Sequence, residues 1–425
     1  MAQRAIREAD GKRMIARLLK EYTNGKYALE DKFVTVGPGT DLKRLPNTSK
    51  WLTSEKVVVK PDQLVKRRGE SKLLLLNADW KDAEKWIEER RGKPLTVGNV
   101  TGILDHFIIE PFIPHKENDE YYLAILSERE GDQILFHHQG GMDVGDIDAK
   151  ALRMMVPIGN QPTAAEIDKR FLGNVPKERR ALVAGFIEGM FRFYVDLNYT
   201  YLEINPFVVS DNHIYPLDLA AKLDDTAEFV SGSKWGDIEF PPPFGRTFTN
   251  EEAYIQELDS MTGASLKLTV LNPKGRVWTM VAGGGASVIY SDTITDLGFM
   301  HEMANYGEYS GDPSEEFTYL YARTILDLMT REKDPRGKVL LIGGGIANFT
   351  DVASTFKGIV RALREYAQKL RENDVKIYVR RGGPNYKEGL RIMRQLGSEV
   401  GVPIEVYGPE IHMTRIVPMA LKGES

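Results

Sequence analysis

The residues best suited to chemistry form two sets, one built to hold anions and one built to hold a phosphorylated ligand with its counter-charges. The anion set centres on Gly343-Gly344-Gly345-Ile346-Ala347-Asn348-Phe349-Thr350. An apolar run meets three glycines and then a helical pattern, with Val352, Phe356, Ile359, Val360 and Leu363 recurring on one face. Glycine lets backbone approach a ligand, and the N–H groups and dipole of the following helix favour negative charge. Thr350 is the expected N-cap, with Asp351 in the first turn. The same string also suits a tight strand-to-helix turn with no ligand. It is neither a P-loop nor a dinucleotide fingerprint, because no Gly-Lys-Ser/Thr follows and the glycines are contiguous. Arg381, beside Gly382-Gly383, adds a guanidinium suited to carboxylates, although a solvated arginine at a strand end reads identically.

The second set lies earlier in the chain. Residues 200–210 read as a strand and residues 213–222 as its return, joined by a turn at Asp211-Asn212. That turn places Asn205 opposite Asp218, and period two puts Glu203 on the same face. These are hard oxygen donors, suited to Mg²⁺ and phosphates rather than zinc. An ordinary hairpin with a polar exposed face would show the same residues. Lys60 ends an apolar strand, and Lys66-Arg67-Arg68-Gly69 forms a basic, glycine-ended loop able to reach phosphates. Charge alone does not distinguish that loop from a solvated surface. Residues 107–113 read as an apolar strand broken by Pro111, a wall for a purine, with Glu120 available to a ribose hydroxyl.

Positioning these residues requires two different architectures. Residues 1–240 mix short strands, charged helices and hairpins. Residues 244–425 repeat a strand, a glycine-rich turn and a helix, with strands expected at 277–282, 339–342, 375–379 and 404–407 and a helix at 314–330. This alternation predicts a doubly wound parallel sheet whose glycine turns gather at the carboxyl ends of the strands. Arg381 then shares a crevice with Asn348 and Thr350. The three consecutive prolines Pro241-Pro242-Pro243 forbid helix and central strand, making a stiff connector.

Composition narrows the possibilities further. With 425 residues, 42% hydrophobic and 28% charged, the chain reads as two or three globular domains. A net charge of −5 gives no electrostatic basis for binding nucleic acid or an anionic membrane. Absence of cysteine removes disulfides, thiolate metal sites and cysteine nucleophiles together. No apolar run nears the ~18 residues of a membrane span, and the opening residues lack the apolar core of a secretory signal. A cytoplasmic location is the expectation.

Several segments carry a specific resemblance: residues 58–64 (VVKPDQL), 135–141 (LFHHQGG), 201–206 (YLEINP), 234–245 (KWGDIEFPPPFG), 280–287 (MVAGGGAS), 304–311 (ANYGEYSG) and 379–386 (VRRGGPNY). Over essentially its whole length the chain resembles the N-terminal part of the ATP-citrate lyase family, and through it the β-subunits of succinyl-CoA synthetase. The resemblance implies an ATP-grasp domain followed by a flavodoxin-like citrate-binding domain, an α/β and α+β combination. It assigns ATP or ADP to Lys60, Arg68, Gly69, Pro111, Ile113 and Glu120, and Mg²⁺ to Asn205 and Asp218. A further Mg²⁺ position falls on Asp259, Thr262 and Ala264, of which only Asp259 is a strong ligand type. Citrate falls on Gly311, Asn348, Thr350, Tyr366 and Arg381, and the helix after Thr350 corresponds to the one that also faces a phosphohistidine.

Single-chain members of that family continue into a module carrying the phosphorylated histidine and a citrate-synthase-like lyase module. The seven histidines here match no such motif. The resemblance therefore implies the smaller subunit of a two-chain enzyme, the arrangement in plants and in bacteria using the reductive citric acid cycle. The partner would supply the phosphohistidine and the lyase module, with CoA as co-substrate. Citryl-CoA synthetase and succinate-CoA ligase β-subunits are the alternatives that residue types leave open.

Overall fold

The computed structural model describes residues 3–27, 29, 32–65, 73–141, 147–210 and 213–423. The chain divides into two compact units, Met1–Thr247 and Phe248–Ser425. Among the described residues no helix is long and apolar enough to cross a membrane.

The first unit is built on two main sheets. A four-stranded antiparallel sheet runs, in spatial order, Val34–Val36, Phe107–Pro111, Val57–Pro61 and Leu75–Ala78. A seven-stranded antiparallel sheet runs Gln3–Ile6, Leu219–Asp224, Tyr199–Ser210, Glu120–Ser127, Gly131–His137 and Leu152–Pro157, with His213–Pro216 also paired to Tyr199–Ser210. Helices Glu8–Tyr22 and Lys177–Asp196 bury their apolar faces in one core with this sheet, where Phe186, Phe191 and Phe193 join Phe136 and Phe207. Period two divides the long strand: Leu202 and Ile204 turn into that core, while Tyr201, Glu203 and Asn205 are half-buried on the other face.

The expected hairpin register is observed, with Phe207 opposite Pro216, Ser210 opposite His213, and Asn205 N–H donating to the Asp218 carbonyl at 3.1 Å. The turn itself, Asp211 and Asn212, lies outside the described residues. One difference matters. The return strand is not continuous but breaks at Leu217 and Asp218 between His213–Pro216 and Leu219–Asp224, which turns the Leu217 carbonyl to side-chain donors.

The second unit is a six-stranded sheet in the order Ser265–Val270, Asn305–Ser310, Val277–Ala282, Lys338–Gly344, Val375–Arg380 and Ile404–Tyr407. The last five are mutually parallel. Numbered along the chain, their order is 2-1-3-4-5, the flavodoxin-like arrangement. The sheet is doubly wound because alternate residues of each strand feed separate cores. Trp278, Met280, Leu340 and Ile342 pack with helices Asn250–Ser260, Glu315–Thr330, Val352–Glu365 and Tyr386–Val400. Val277, Val281, Val339 and Leu341 pack with helices Gly284–Asp296 and Ile416–Lys422. Two strands escaped the sequence reading. Asn305–Ser310 carries a glycine and a glutamate within its alternation, and Ser265–Val270 is an antiparallel edge strand outside the repeating unit.

The helix after the glycine turn also begins one residue later than expected. Asp351, not Thr350, is its N-cap: Asp351 Oδ1 accepts from Ser354 N–H at 2.9 Å, and the helix runs Val352–Glu365. Both residues are good cap types. Contacts outside the helix decide between them, because Asp351 N–H donates to Asp312 Oδ1 at 3.1 Å and Val352 N–H to the Pro384 carbonyl at 3.1 Å.

Candidate functional site

In the first unit, both sheets contribute to a cleft of about 1340 Å³. Lys60 and Pro111 come from the four-stranded sheet, Asn205 and Glu120 from the seven-stranded sheet, Ile113 from the segment passing between the sheets and Asp218 from the break in the return strand; all six line the cleft. Pairing sets Lys60 opposite Ile108 and Val58 opposite Glu110, so Lys60 and Glu110 are diagonal neighbours on one face. The Lys60 ammonium is buried among acceptors: Glu8 Oε1 at 2.6 Å, Glu110 Oε2 at 2.9 Å and the Leu217 carbonyl. Lys12, one helical turn after Glu8, joins the same largely buried charge cluster, with Glu8 Oε1 at 2.8 Å and Glu110 Oε1 at 2.5 Å. Such a group is tolerable because opposite charges neutralise one another where water is scarce.

Beside this cluster, Asp62 supports the opening helix. Its Oδ1 accepts from Ala9 N–H at 3.2 Å, where Arg7 at the N-cap supplies no side-chain cap. Burial, and then the Glu8 charge, push the Asp62 carboxyl up to about 6.

Gln139, Gly140 and Gly141 also line the cleft. Gly140 N–H donates to the Glu120 carbonyl at 3.0 Å, and Gly141 N–H donates to Asn205 Oδ1 at 2.8 Å. Gly141 has φ +87°, a left-handed conformation that strains other residues, and a Cβ there would also displace the Glu120 carboxylate, whose Oε2 stands 2.1 Å away. His115 bridges the Ile113 carbonyl at 2.6 Å and Glu120 Oε1 at 3.0 Å through its two ring nitrogens. The purine-wall segment and the carboxylate are thus tied together. Arg68 and Gly69 lie outside the described residues.

In the second unit the glycine turns lie side by side at the carboxyl ends of the strands. Ala282 pairs with Gly344, and Ala347 N–H donates to the Gly382 carbonyl at 3.0 Å. A Cβ on Gly383 would stand 2.6 Å from that of Ala347, so the close approach of these two turns needs glycine. Arg381 is 4% exposed; its guanidinium donates to the Gly345 carbonyl at 3.0 Å, while its buried Nε meets no acceptor among the described residues. Burial pulls its pKa below the ordinary guanidinium value. Thr350 is buried and Asn348 exposed, both on the turn that Arg381 grips. Gly311 has φ +74° and precedes Asp312, whose carboxylate accepts from Asp351 N–H, which brings it to the same end of the sheet.

The first unit is matched over residues 2–235 by the model of an ATP-citrate synthase ATP-grasp domain, and residues 246–423 by that of an ATP citrate lyase citrate-binding domain. The chain belongs to the ATP-citrate lyase family. It is 56% identical over 423 residues to the ATP-citrate synthase of Bos taurus, covering 99% of this chain but 38% of that protein. The chain thus spans well under half the length of its mammalian relatives. A second relative, ATP-citrate synthase alpha chain protein 2 of Arabidopsis thaliana, is 48% identical over 422 residues, with 99% of each chain covered. A probable ATP-citrate synthase subunit 2 of Schizosaccharomyces pombe is 51% identical over 405 residues, 87% of this chain and 82% of that one. The solved structure of ATP citrate lyase from Methanothrix soehngenii, in complex with citrate and coenzyme A, superposes with a TM-score of 0.92 at 55% identity. It covers 99% of this chain and 100% of that one.

Two of the positions drawn from the ATP-citrate lyase resemblance sit differently from the rest. Tyr366 is the C-cap of the helix that Asn348 and Thr350 precede. A helix of 14 residues rises about 21 Å, so the structure separates Tyr366 from them. Its hydroxyl meets Asp327 Oδ1 at 3.3 Å. The Asp259 carboxylate is engaged on both oxygens, accepting from Leu266 N–H at 2.7 Å and pairing with Lys267 at 2.5 Å. Thr262 Oγ1 accepts from Ala264 N–H at 3.1 Å. These bonds close the 259–264 loop on itself and on the adjoining strand. Among the described residues no cluster of three or more acidic or histidine side chains is placed to hold a metal ion. Conversely, sequence reasoning missed Glu8, Lys12, Glu110 and His115. The one local signal was the i,i+4 pair of Glu8 and Lys12, which on most helices is a solvated surface pair.

Proposed function

We propose that this chain is the nucleotide- and citrate-binding part of an ATP-citrate lyase, with residues 1–240 handling Mg-ATP and residues 244–425 handling citrate, and that a partner subunit completes the enzyme. The observation that carries the proposal is the convergence of Lys60, Pro111, Ile113, Glu120, Asn205 and Asp218 on one cleft. In this reading Lys60, with Arg68 and Gly69, contacts the phosphates. Pro111 and Ile113 wall the adenine, and Glu120 takes the ribose. Asn205 on the long strand and Asp218 in the break of its return strand present hard oxygens, which suits Mg²⁺, an ion that commonly takes one or two protein ligands and fills its shell with phosphate and water. Mg²⁺ bound there would offset phosphate charge.

The phosphoryl group passes from ATP to a histidine of the partner and then to citrate, giving citryl phosphate. Arg381 suits a carboxylate of that acid: its Nη is fixed on Gly345, its Nε is available, and burial strengthens any ion pair made there. Asn348, Thr350 and Gly311 furnish the neighbouring contacts. CoA then displaces phosphate to form citryl-CoA, which the partner cleaves to acetyl-CoA and oxaloacetate. Fixed dipoles and cations supply the stabilisation that phosphoryl transfer requires.

The test is thermal stabilisation of the chain by Mg-ADP and by citrate against succinate, then product analysis with the co-purified partner, ATP, citrate and CoA. Stabilisation by Mg-ADP and citrate, followed by acetyl-CoA and oxaloacetate, is expected. No stabilisation by either ligand overturns the reading, and citryl-CoA as the end product replaces lyase with synthetase.

A further inference from the structure

Tyr309 serves the sheet and a glycine turn through its backbone, but its hydroxyl serves neither. The residue pairs with Ala282, its carbonyl accepts from Gly283 N–H at 3.1 Å, and its ring lies 5.9 Å from that of Tyr321 in the core. Tyr309 is 1% exposed, and its hydroxyl meets no hydrogen-bond partner among the described residues. Nearby tyrosines differ: Tyr290 donates to the Met413 carbonyl, and Tyr321 to the Lys267 carbonyl at 3.1 Å. A buried hydroxyl without a partner costs stability that a phenylalanine would not. Packing alone therefore does not account for a tyrosine here.

Strand pairing brings this residue toward Arg381. Tyr309, Ala282 and Gly344 stand side by side across three strands. The two small residues leave room for the Arg381 side chain to lie back over the sheet, where its Nη1 stands 2.8 Å from the place a Cβ of Gly344 would take. Burial pushes the pKa of the Tyr309 hydroxyl up against the opposing Arg381 charge, so the hydroxyl keeps its proton and donates. Arg381 Nε is likewise buried and without an acceptor among the described residues. Two adjacent donors lacking an acceptor complement a carboxylate, which accepts on both oxygens. We propose that Tyr309 is a further citrate-binding residue, its hydroxyl and Arg381 Nε donating to one carboxylate of the acid. This rests on the citrate reading of the second unit. Both donors are closed to bulk water, so the carboxylate must part the side chains around them, and the bonds it makes there are correspondingly strong.

The experiment is isothermal titration of the full chain with citrate, with Mg-ADP, and with tricarballylate, which has the three carboxylates of citrate without its hydroxyl. Tyr309→Phe keeps the ring and removes only the phenolic oxygen. It is expected to weaken citrate about tenfold or more, the loss of one charge-assisted hydrogen bond. Tricarballylate weakens by the same factor, and Mg-ADP binds unchanged. The ligand-free variant melts no lower than the parent, because no bond within the protein is lost. The proposal is overturned by unchanged citrate affinity, or by a loss confined to citrate, which points to the citrate hydroxyl rather than a carboxylate. It is also overturned by weakening of Mg-ADP, or by a ligand-free variant that melts lower or does not fold, since the phenolic group then has a structural role. An unaltered chain that binds neither acid overturns the citrate reading itself, before any variant is compared.

Discussion

Replacing Asp62 by asparagine measures how dearly the cleft's charge cluster is held. Asp62 is 3% exposed and accepts from Ala9 N–H at the start of helix Glu8–Tyr22. Two effects oppose one another. A helix N-terminus favours a negative cap by roughly 0.3–1 kcal/mol, up to ~2 when partly buried. Desolvation, reinforced by the Glu8 charge, disfavours it and prevails, since the carboxyl moves from 3.8 to about 6. A carboxyl raised in the folded state holds its proton more tightly there than in the unfolded chain. Stability is therefore fullest below pH 3.8 and falls as pH rises through about 6, where the buried group must ionise. At about 1.36 kcal/mol per pH unit the loss at neutral pH is about 3 kcal/mol. Asp62→Asn keeps an acceptor for Ala9 and cannot ionise. It is expected to be more stable than the parent by up to about 3 kcal/mol at pH 7.5, with the difference closing toward pH 4. Urea unfolding followed by tryptophan fluorescence reports on the right unit, because four of the five tryptophans (Trp51, Trp80, Trp86 and Trp235) lie in it. Subtracting parent from variant at each pH cancels titrations common to both. A variant less stable at pH 7.5, or a difference independent of pH, would refute the reasoning.

Lys60→Met removes the cation that meets both Glu8 and Glu110 and is expected to cost about 3–5 kcal/mol. Lys60→Met/Glu8→Gln recovers part of that without regaining stabilisation by Mg-ADP, and a single variant as stable as the parent would sink the charge-balance account. Arg381→Lys keeps the charge but cannot hold the Gly345 carbonyl while offering Nε to a ligand. Scanning fluorimetry should lose the citrate shift and keep the Mg-ADP shift, and persistence of the citrate shift counts against Arg381. Asp259→Asn disturbs the bonds to Leu266 and Lys267 and is expected to lose about 1–2 kcal/mol of stability while the Mg²⁺ dependence of ADP binding stays the same. A changed Mg²⁺ dependence would return Asp259 to the cation.

What could be read from the sequence follows from the range over which each feature is decided. The hairpin register was legible because a two-residue turn fixes every pair behind it, and the glycine turns because close backbone approach leaves few residue types. Thr350 and Asp351 are both good caps, so no local rule separates them; Asp312 and Pro384, distant in sequence, make the choice. Asp259 shows the same limit, since its cation role came from the resemblance alone, and its bonds to a backbone N–H and a lysine appear only once the chain is folded. The charge cluster is the extreme case. Glu8 and Lys12 look like a solvated helical pair, and Glu110 like the end of an apolar strand, until strand pairing and helix packing bring all three onto Lys60. The decisive element there is the register of Val57–Pro61 against Phe107–Pro111. A slip of one residue would turn Glu110 to the opposite face. Lys60 and Lys12 would then both lose the Glu110 carboxylate, and the fixed acceptors that orient their ammonium groups toward the cleft would no longer come from both sheets.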